Sequence, residues 1–193
     1  MYLTNFLNLD FFKPKTSTTT THIHGVFVRL EGKGVLIIGK SGIGKSEIAL
    51  DLIHKGHALI SDDSVVFYKK NKANIIGEAP SILRNLIEVR GLGILDIKKL
   101  FGRKSVSLRN KLSLVIELKP YQNEIPYSRL EMNIGSFNLF DIAIPKIELP
   151  VNQTRHISLL IETAVKNYTL LSRGSSATEN LSKRINLQLS LDH

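Results

Sequence analysis

Residues 39–46 are Gly39-Lys40-Ser41-Gly42-Ile43-Gly44-Lys45-Ser46, and they match the pattern G-x-x-x-x-G-K-[ST] of a phosphate-binding loop. The apolar run Val35-Leu36-Ile37-Ile38 precedes the loop and predicts a buried strand. The residues after the loop carry apolar side chains at helical spacing and predict a helix over 46–55. A strand, a glycine-rich turn and a helix in this order predict the core of an α/β fold.

The chemistry of this loop favours a nucleoside triphosphate. Backbone N–H groups point inward at a helix N-terminus, where the helix dipole adds partial positive charge. Glycine lets the backbone close around phosphate oxygens because it has no Cβ atom. Lys45 can reach the β- and γ-phosphates, and the Ser46 hydroxyl can bind Mg²⁺. We therefore expect all eight loop residues to bind ATP and Mg²⁺, although a chance glycine turn before a helix is the alternative.

The composition predicts one domain in a chain of 193 residues. A hydrophobic content of 42% is enough for a core, and the absence of cysteine excludes disulfides and thiolate metal sites. No stretch is long enough to span a membrane and no signal peptide is evident, so we expect a cytoplasmic protein without a membrane partner. The net charge of +9 is scattered, which favours a solvated basic surface over a nucleic-acid partner.

The hydrophobic pattern divides the chain into a lead-in or linker at 1–23 and a folded domain at 24–193. The polar run 16–21 is predicted to be a linker or an edge extension, and 119–136 a long polar loop. Periodicity predicts strands at 25–30, 35–38, 57–61, 65–68, 74–77, 112–118, 137–140 and 144–149, and helices at 46–55, 81–86, 158–170 and 176–189. These elements predict an α/β fold with a mixed sheet and C-terminal helices.

Two acidic positions are candidates for chemistry. Asp62 and Asp63 follow a predicted strand, at the sheet edge where ligands of open α/β sheets bind. A carboxylate there can hold Mg²⁺ or accept a proton from an attacking hydroxyl, but it can also cap a turn. Glu88 can be a second Mg²⁺ ligand or a surface residue paired with Arg90.

Two further polar residues are ambiguous on physical grounds alone. His24 precedes a glycine at a strand start, where most histidines are structural. Arg129 lies in the long loop, where an arginine is usually solvated. The residue types themselves therefore leave both a structural and a catalytic role open.

Several segments of this chain resemble the catalytic domain of bacterial HPr kinase/phosphorylase, and they occur in the same order as in that family. The resemblance runs from about residue 22 to about residue 181 of this chain. The segment around Glu88-Val89-Arg90-Gly91-Leu92-Gly93 is similar to the family signature and is more specific than the phosphate-binding loop. The other matching segments are His24-Gly25-Val26, Gly39 to Glu47, Gly56-His57 with Asp62-Asp63, Tyr127-Ser128-Arg129-Leu130, and Pro150-Val151 through Arg155.

The resemblance implies an enzyme that uses ATP to phosphorylate a serine of HPr, the phosphocarrier of the sugar phosphotransferase system. It also implies the reverse reaction, phosphorolysis with inorganic phosphate that yields pyrophosphate, in the regulation of carbon metabolism. Members of the family are typically hexamers with a P-loop core related to phosphoenolpyruvate carboxykinase. The domain at 24–193 would then be the catalytic domain.

The resemblance also implies roles for individual residues. Asp63 would accept the serine proton and return it in the reverse direction, and a raised pKa would suit both tasks. Asp62 would support it or contact metal. The remaining implied roles are Mg²⁺ binding by Ser46 and Glu88, β-phosphate binding by Lys45, and active-site positions near phosphate for His24 and Arg129. Segment 87–96 matches a region needed for both activities, and 150–155 one needed mainly for dephosphorylation.

The chain departs from the family pattern at three places. Lys40 replaces an acidic residue, which adds positive charge beside the phosphates. Asn152, Gln153 and Thr154 stand where members usually carry Arg, Pro and Gly, while Arg155 remains. The usual N-terminal domain does not precede this sequence, so we expect a short form or a gene remnant. Two alternatives stay open: a regulatory nucleotide-binding module without catalysis, and a P-loop kinase with another acceptor.

Overall fold

The computed structural model describes residues 19–121, 132–152 and 155–191. The strands are β1 (Thr20–His24), β2 (Val26–Leu30), β3 (Lys33–Gly39), β4 (Ala58–Ser61), β5 (Ser64–Asn71), β6 (Asn74–Glu78), β7 (Leu86–Val89), β8 (Gly93–Asp96), β9 (Arg109–Pro120), β10 (Ile134–Leu139) and β11 (Ile142–Val151). The helices are α1 (Lys45–His54), α2 (Ile97–Phe101), α3 (Ile157–Leu171) and α4 (Ala177–Leu191). Within these ranges, no helix has the length and apolar character that a membrane crossing requires.

A mixed sheet forms the centre of the fold. Its strands follow the order β1-β5-β6-β9-β3-β2-β4, and β11 joins the long strand β9 while β10 pairs with β11. The pairs β3–β9 and β9–β11 are parallel, whereas the other pairs in this sheet are antiparallel. The predictions of a mixed sheet and of C-terminal helices are therefore confirmed.

The sheet is buried on both faces at β3, as its unbroken apolar run predicts. Val35 and Ile37 point to one face, where they pack with residues of α1 and α3. Leu36 points to the opposite face and packs with Phe27 and with residues of β5 and β9. The parallel strands β3 and β9 therefore hold the loop at 39–46 on a rigid, buried support.

The helix predicted over 81–86 is wrong. Ser81–Leu83 form a single 3-10 turn, and the chain enters β7 at Leu86. Asn85 lies between them with a φ of 66°, a left-handed conformation that a continuing helix does not allow. The glycine-punctuated stretch that follows forms a separate two-stranded sheet of β7 and β8.

The other boundaries differ in smaller ways. Thr20 and Thr21 belong to β1 at the edge of the sheet, which agrees with the edge extension and not with the linker. The loop predicted at 119–136 is shortened, because β9 continues to Pro120 and β10 begins at Ile134. Residues 122–131 of that loop lie outside the described residues. Helix α4 lies where it was predicted, but none of its described residues belongs to either core cluster.

Candidate functional site

The loop at 39–46 turns sharply between β3 and α1. Gly42 and Gly44 have φ angles of 77° and 92°, which residues with a Cβ atom rarely adopt. Gly44 is the N-cap of α1 and no side chain caps this helix, so its first N–H groups remain available to an anion. The Lys45 ammonium donates to the carbonyl oxygens of Gly39 at 3.1 Å and Lys40 at 3.2 Å.

Asp62 connects three elements of the site. It follows β4 and is 4% exposed. The Ser46 hydroxyl of α1 donates to both of its carboxylate oxygens, at 3.0 and 3.2 Å. The backbone N–H of Glu88 in β7 donates to Oδ2 at 3.0 Å. Asp62 therefore fixes the start of α1 and the β7–β8 sheet relative to the end of β4.

Burial shifts the pKa values of two ionisable groups of the cleft, and hydrogen bonds or nearby charges offset only part of each shift. Burial raises the pKa of Asp62 to about 6, against the effect of its hydrogen bonds from Glu88 and Ser46. Burial also lowers the pKa of Lys45, and the nearby carboxylates oppose this change. Desolvation strengthens electrostatic interactions with any charged group that enters the cleft.

Asp63 occupies a constrained turn between β4 and β5. Its φ of 65° is left-handed, and the Ser61 hydroxyl spans the turn by donating to the Ser64 carbonyl oxygen at 2.5 Å. The Gly25 N–H donates to the Asp63 carbonyl oxygen at 3.3 Å. His24 Nδ1 lies 2.9 Å from the same carbonyl oxygen and 3.0 Å from Asp63 Oδ1. Asp63 Oδ2 is buried without a hydrogen-bond partner in the described part of the chain.

The structure brings most of the predicted site residues to one cleft. This cleft is lined by His24, Ser41, Gly42, Gly44, Lys45, Ser46, Glu47, Asp62, Asp63, Glu88 and Arg90.

Other predicted residues lie away from the cleft or outside the described residues. Gly39 and Lys40 contribute carbonyl oxygens to Lys45, and neither residue lines the cleft, nor does Ile43. Arg129 lies outside the described residues, as do Gln153 and Thr154. The described Arg155 donates from Nη1 to the Pro150 carbonyl oxygen at 2.8 Å.

Arg90 is a cleft residue that the sequence interpretation treated only as a partner for Glu88. It is exposed and lies beyond the end of β7, where it contributes a positive charge to the cleft wall. The sequence feature that points to Arg90 is its position two residues after Glu88 in a glycine-rich turn. This feature was insufficient because the sequence of this turn does not indicate a hairpin beside the 39–46 loop.

The oxygen donors of the cleft suit a hard cation shared with phosphate. Among the described residues, no group of three or more His, Cys, Asp or Glu side chains is arranged to hold a metal ion alone. Mg²⁺ usually takes one or two protein ligands and completes its shell with water and phosphate oxygens. The Ser46 hydroxyl and the Glu88 carboxylate line the same cleft and fit this requirement.

Comparisons with known proteins agree with this geometry. The HPr kinase/phosphorylase of Latilactobacillus sakei subsp. sakei (strain 23K) is 42% identical over 167 residues, which cover 84% of this chain and 53% of that protein. HPr kinase/phosphorylase 1 of Oceanobacillus iheyensis is 38% identical over 187 residues, covering 97% of this chain and 58% of that protein. The chain thus spans about half the length of the curated relatives it matches.

A solved structure and a family model give the same result. The structure of the Hpr(Ser) kinase/phosphatase from Coxiella burnetii has a TM-score of 0.75 at 34% identity, covering 86% of this chain and 98% of that one. The family model of the HPr Serine kinase C-terminal domain matches residues 15–185. The chain therefore belongs to the HPr serine kinase C-terminal domain family.

Proposed function

We propose that the chain transfers the γ-phosphate of ATP to a serine of HPr and reverses this reaction with inorganic phosphate, which yields pyrophosphate. The observation that carries the proposal is the meeting of Lys45, Ser46 and the Asp62–Asp63 pair in one cleft. The names and similarity of the relatives support HPr as the acceptor.

The proposal extends to the fold and setting of the protein. Residues 24–193 are a catalytic domain with a P-loop core related to phosphoenolpyruvate carboxykinase, preceded by the lead-in at 1–23. The protein works as a homo-oligomer, a hexamer, in the cytoplasm, where it regulates carbon metabolism through HPr. These features come from the resemblance to the family.

The loop and its surroundings supply charge and position, which are the main requirements of phosphoryl transfer. Lys45 and the N–H groups at the start of α1 bind the β- and γ-phosphates, and Arg90 adds positive charge from the hairpin. Arg129 would be a further phosphate-binding residue, as the resemblance to the family implies. Ser46 and Glu88 would hold Mg²⁺, which neutralises the charge of the phosphate oxygens.

The Asp62–Asp63 turn provides the proton chemistry. Asp62 orients the Ser46 hydroxyl through hydrogen bonds of 3.0 and 3.2 Å. Asp63, whose Oδ1 lies 3.0 Å from His24 Nδ1, would accept the proton of the attacking serine hydroxyl. In the reverse reaction Asp63 would return this proton to the serine oxygen as the phosphoserine bond breaks.

Transfer in both directions to a defined acceptor tests the proposal. HPr, and an HPr variant whose acceptor serine is alanine, are incubated with the chain, Mg²⁺ and ATP labelled on the γ-phosphate. We expect label on HPr and none on the alanine variant. Phosphorylated HPr is then purified and incubated with the chain and inorganic phosphate, and pyrophosphate is measured.

Each failure has a separate meaning. Label on HPr without pyrophosphate in the second step would remove the phosphorolysis half of the proposal. ATP binding without transfer would favour a regulatory nucleotide-binding module, which the change at Lys40 makes a specific alternative. ATP hydrolysis that is stimulated by a protein other than HPr would favour a kinase with a different acceptor.

A further inference from the structure

Basic and apolar side chains occur together in the segment that follows β8. Four of the seven residues at 98–104 are lysine or arginine, which concentrates charge that is scattered over the chain as a whole. All four of these residues are exposed, and so are Leu100 at 58% and Phe101 at 41%. The basic–apolar patch is defined by these six residues, which are Lys98, Lys99, Leu100, Phe101, Arg103 and Lys104.

The backbone holds the patch in one position. Ile97 at the start of α2 is fully buried. The buried Ser105 hydroxyl donates to the carbonyl oxygens of Gly102 at 2.6 Å and Ile97 at 3.2 Å, which folds the 3-10 turn at 103–105 back onto α2. The Ser107 N–H donates to the Leu59 carbonyl oxygen at 2.7 Å, so the segment is attached to β4 at the edge of the sheet. Side chains on a fixed backbone bind a partner with a smaller loss of conformational entropy.

The positive charge of the patch is weakly compensated. Within the described part of the chain, Asp96 is the one carboxylate that pairs with a patch residue, and its Oδ2 lies 3.7 Å from Lys99 Nζ. The Lys99 side chain is 83% exposed, so water screens this pair. The other ionisable neighbour is His54 of α1, whose ring meets the Phe101 ring edge to face, with 6.4 Å between the centroids. The patch therefore attracts an extended negative charge.

These features narrow the class of partner. A second copy of this chain in a symmetric contact would bring four cations against four, and like charges repel each other. Single-stranded nucleic acid combines cations with aromatic rings on which bases stack, whereas Leu100 has no ring and Phe101 already contacts His54. An acidic protein would need carboxylates arranged to match cations on long, flexible side chains. An anionic bilayer supplies both a diffuse negative surface and an apolar interior without such matching.

We propose that the basic–apolar patch attaches the protein peripherally to the cytoplasmic face of a membrane that contains anionic lipid. The four cations bind phosphate headgroups, while Leu100 and the exposed part of Phe101 enter the boundary between headgroups and acyl chains. Such attachment differs from the expectation of no membrane partner because it needs no membrane-spanning segment. It is also independent of the proposed reaction, since no patch residue lines the cleft.

Binding of the full chain to vesicles tests the proposal. We expect cosedimentation with phosphatidylcholine vesicles that contain about one third phosphatidylglycerol, and none with vesicles of pure phosphatidylcholine. Because salt screens the attraction, the binding constant should fall by about tenfold or more between about 0.1 and 0.5 M NaCl.

Two variants of equal net charge separate the patch from the basic surface in general. The first replaces all four patch cations by glutamine. Its binding constant should be lower by about 100-fold or more, since each cation near an anionic surface contributes about fivefold. The matched control replaces four exposed cations elsewhere by glutamine, and these are Lys70, Lys72, Lys183 and Arg184. The control should bind within about fivefold of wild type, and thermal unfolding checks that both variants are folded.

A fluorescent label distinguishes insertion from attraction to headgroups alone. The chain has no cysteine, so Leu100→Cys can carry an environment-sensitive fluorophore at one defined position. The control is Lys72→Cys in the exposed turn between β5 and β6. We expect the emission at position 100 to shift to the blue when phosphatidylglycerol vesicles are added, and the emission at position 72 to stay unchanged.

Three results would overturn the proposal. Absence of vesicle binding at low salt would exclude a membrane as the partner. Equal binding by the two glutamine variants would show that the general positive charge, and not the patch, attracts the vesicles. Unchanged emission from the label at position 100 on bound protein would show that the apolar side chains do not enter the bilayer, which would favour an acidic protein or a nucleic acid as the partner.

Discussion

Asp62 and Asp63 are neighbours in the chain, yet their side chains have different surroundings. Asp62 is 4% exposed and accepts hydrogen bonds from Ser46 and Glu88. Asp63 turns in the left-handed region and pairs with His24. The first carboxylate connects α1 and β7 to the end of β4, and the second pairs with the histidine at the end of β1.

Asp62 is also expected to destabilise the fold at neutral pH. Burial raises its pKa from 3.8 to about 6, so the folded state binds this proton more tightly than the unfolded state. The free energy of unfolding therefore falls as the pH rises through this window, and the full penalty of about 3 kcal/mol is present above it. Asp62→Asn should remove the penalty while keeping an oxygen acceptor for the Glu88 N–H.

Urea unfolding at two pH values measures this effect. Asp62→Asn should exceed the wild type by about 2–3 kcal/mol near pH 7.5 and match it near pH 4. The control is Glu179→Gln on α4, an exposed carboxylate whose replacement should change stability by less than about 0.5 kcal/mol. An Asp62→Asn variant that is less stable than wild type at neutral pH would show that its ionised form is well compensated.

At the scale of single residues, the loop pattern predicted the positions of Lys45 and Ser46 because its spacing has a direct chemical meaning. The pairing of His24 with Asp63 has no local sequence signal, since the two residues are 39 positions apart and meet only because β1 lies beside β5. The raised pKa proposed for Asp63 stays a prediction, and the structure adds a raised pKa for Asp62, whose carboxylate is buried. The residue types alone do not indicate which of two adjacent aspartates is the more buried.

Among the elements, β1 and β2 meet at Gly25, where the chain passes very close to β3. A Cβ atom on Gly25 would lie 2.7 Å from the Ile37 carbonyl oxygen and 3.2 Å from a methyl group of Ile38. Gly25→Ala should therefore displace the backbone that bonds Asp63 and lower stability by about 1–3 kcal/mol. Thermal unfolding of the variant measures the change.

Gly135→Ala in β10 is the matched control. A Cβ atom there would meet its nearest neighbours, which belong to Lys146, at 3.9 Å, an ordinary van der Waals distance. This variant should be as stable as wild type or slightly more stable, because alanine costs less backbone entropy than glycine. Equal effects of the two substitutions would show that β3 can move away from Gly25.

The elements that could be predicted from sequence are those with a strong local pattern. The strand–loop–helix unit of β3 and α1, and the antiparallel pair β5–β6, agree with their periodicity. The β7–β8 sheet and the turn at Ser81–Leu83 could not be predicted from periodicity. Asn85 adopts a left-handed conformation there that the neighbouring residues do not indicate. Hydrophobic spacing cannot separate a short helix from a strand when the run is this short.

On the scale of the whole molecule, the core depends on β3, β9 and the helices α1 and α3, and α4 lies outside it. The apolar side chains of α4 are exposed, among them Leu181 at 48% and Ile185 at 50%. A chain that ends after Ser175 should therefore keep its fold, with a Tm within about 3 °C of the full chain. A loss of more than about 10 °C would show that α4 stabilises the core.

The mixed sheet and late helices were predictable from the order of elements, but the connections between strands were not. The placement of β9 between β3 and β6 needs contacts between residues more than 70 positions apart, such as Ile37 with Ile116. No local pattern encodes such a pairing. The cleft exists because this topology brings the turn after β4 and the hairpin of β7 and β8 beside the 39–46 loop.

The most direct measurement is a single-turnover transfer of labelled phosphate from ATP to HPr by wild type and by Asp63→Asn, with ATP binding measured for both. We predict label on an HPr serine with wild type, and a rate lower by about 100-fold or more with Asp63→Asn at similar ATP affinity. Equal rates from the two proteins, or ATP binding by wild type without any label on HPr, would contradict phosphoryl transfer at this cleft.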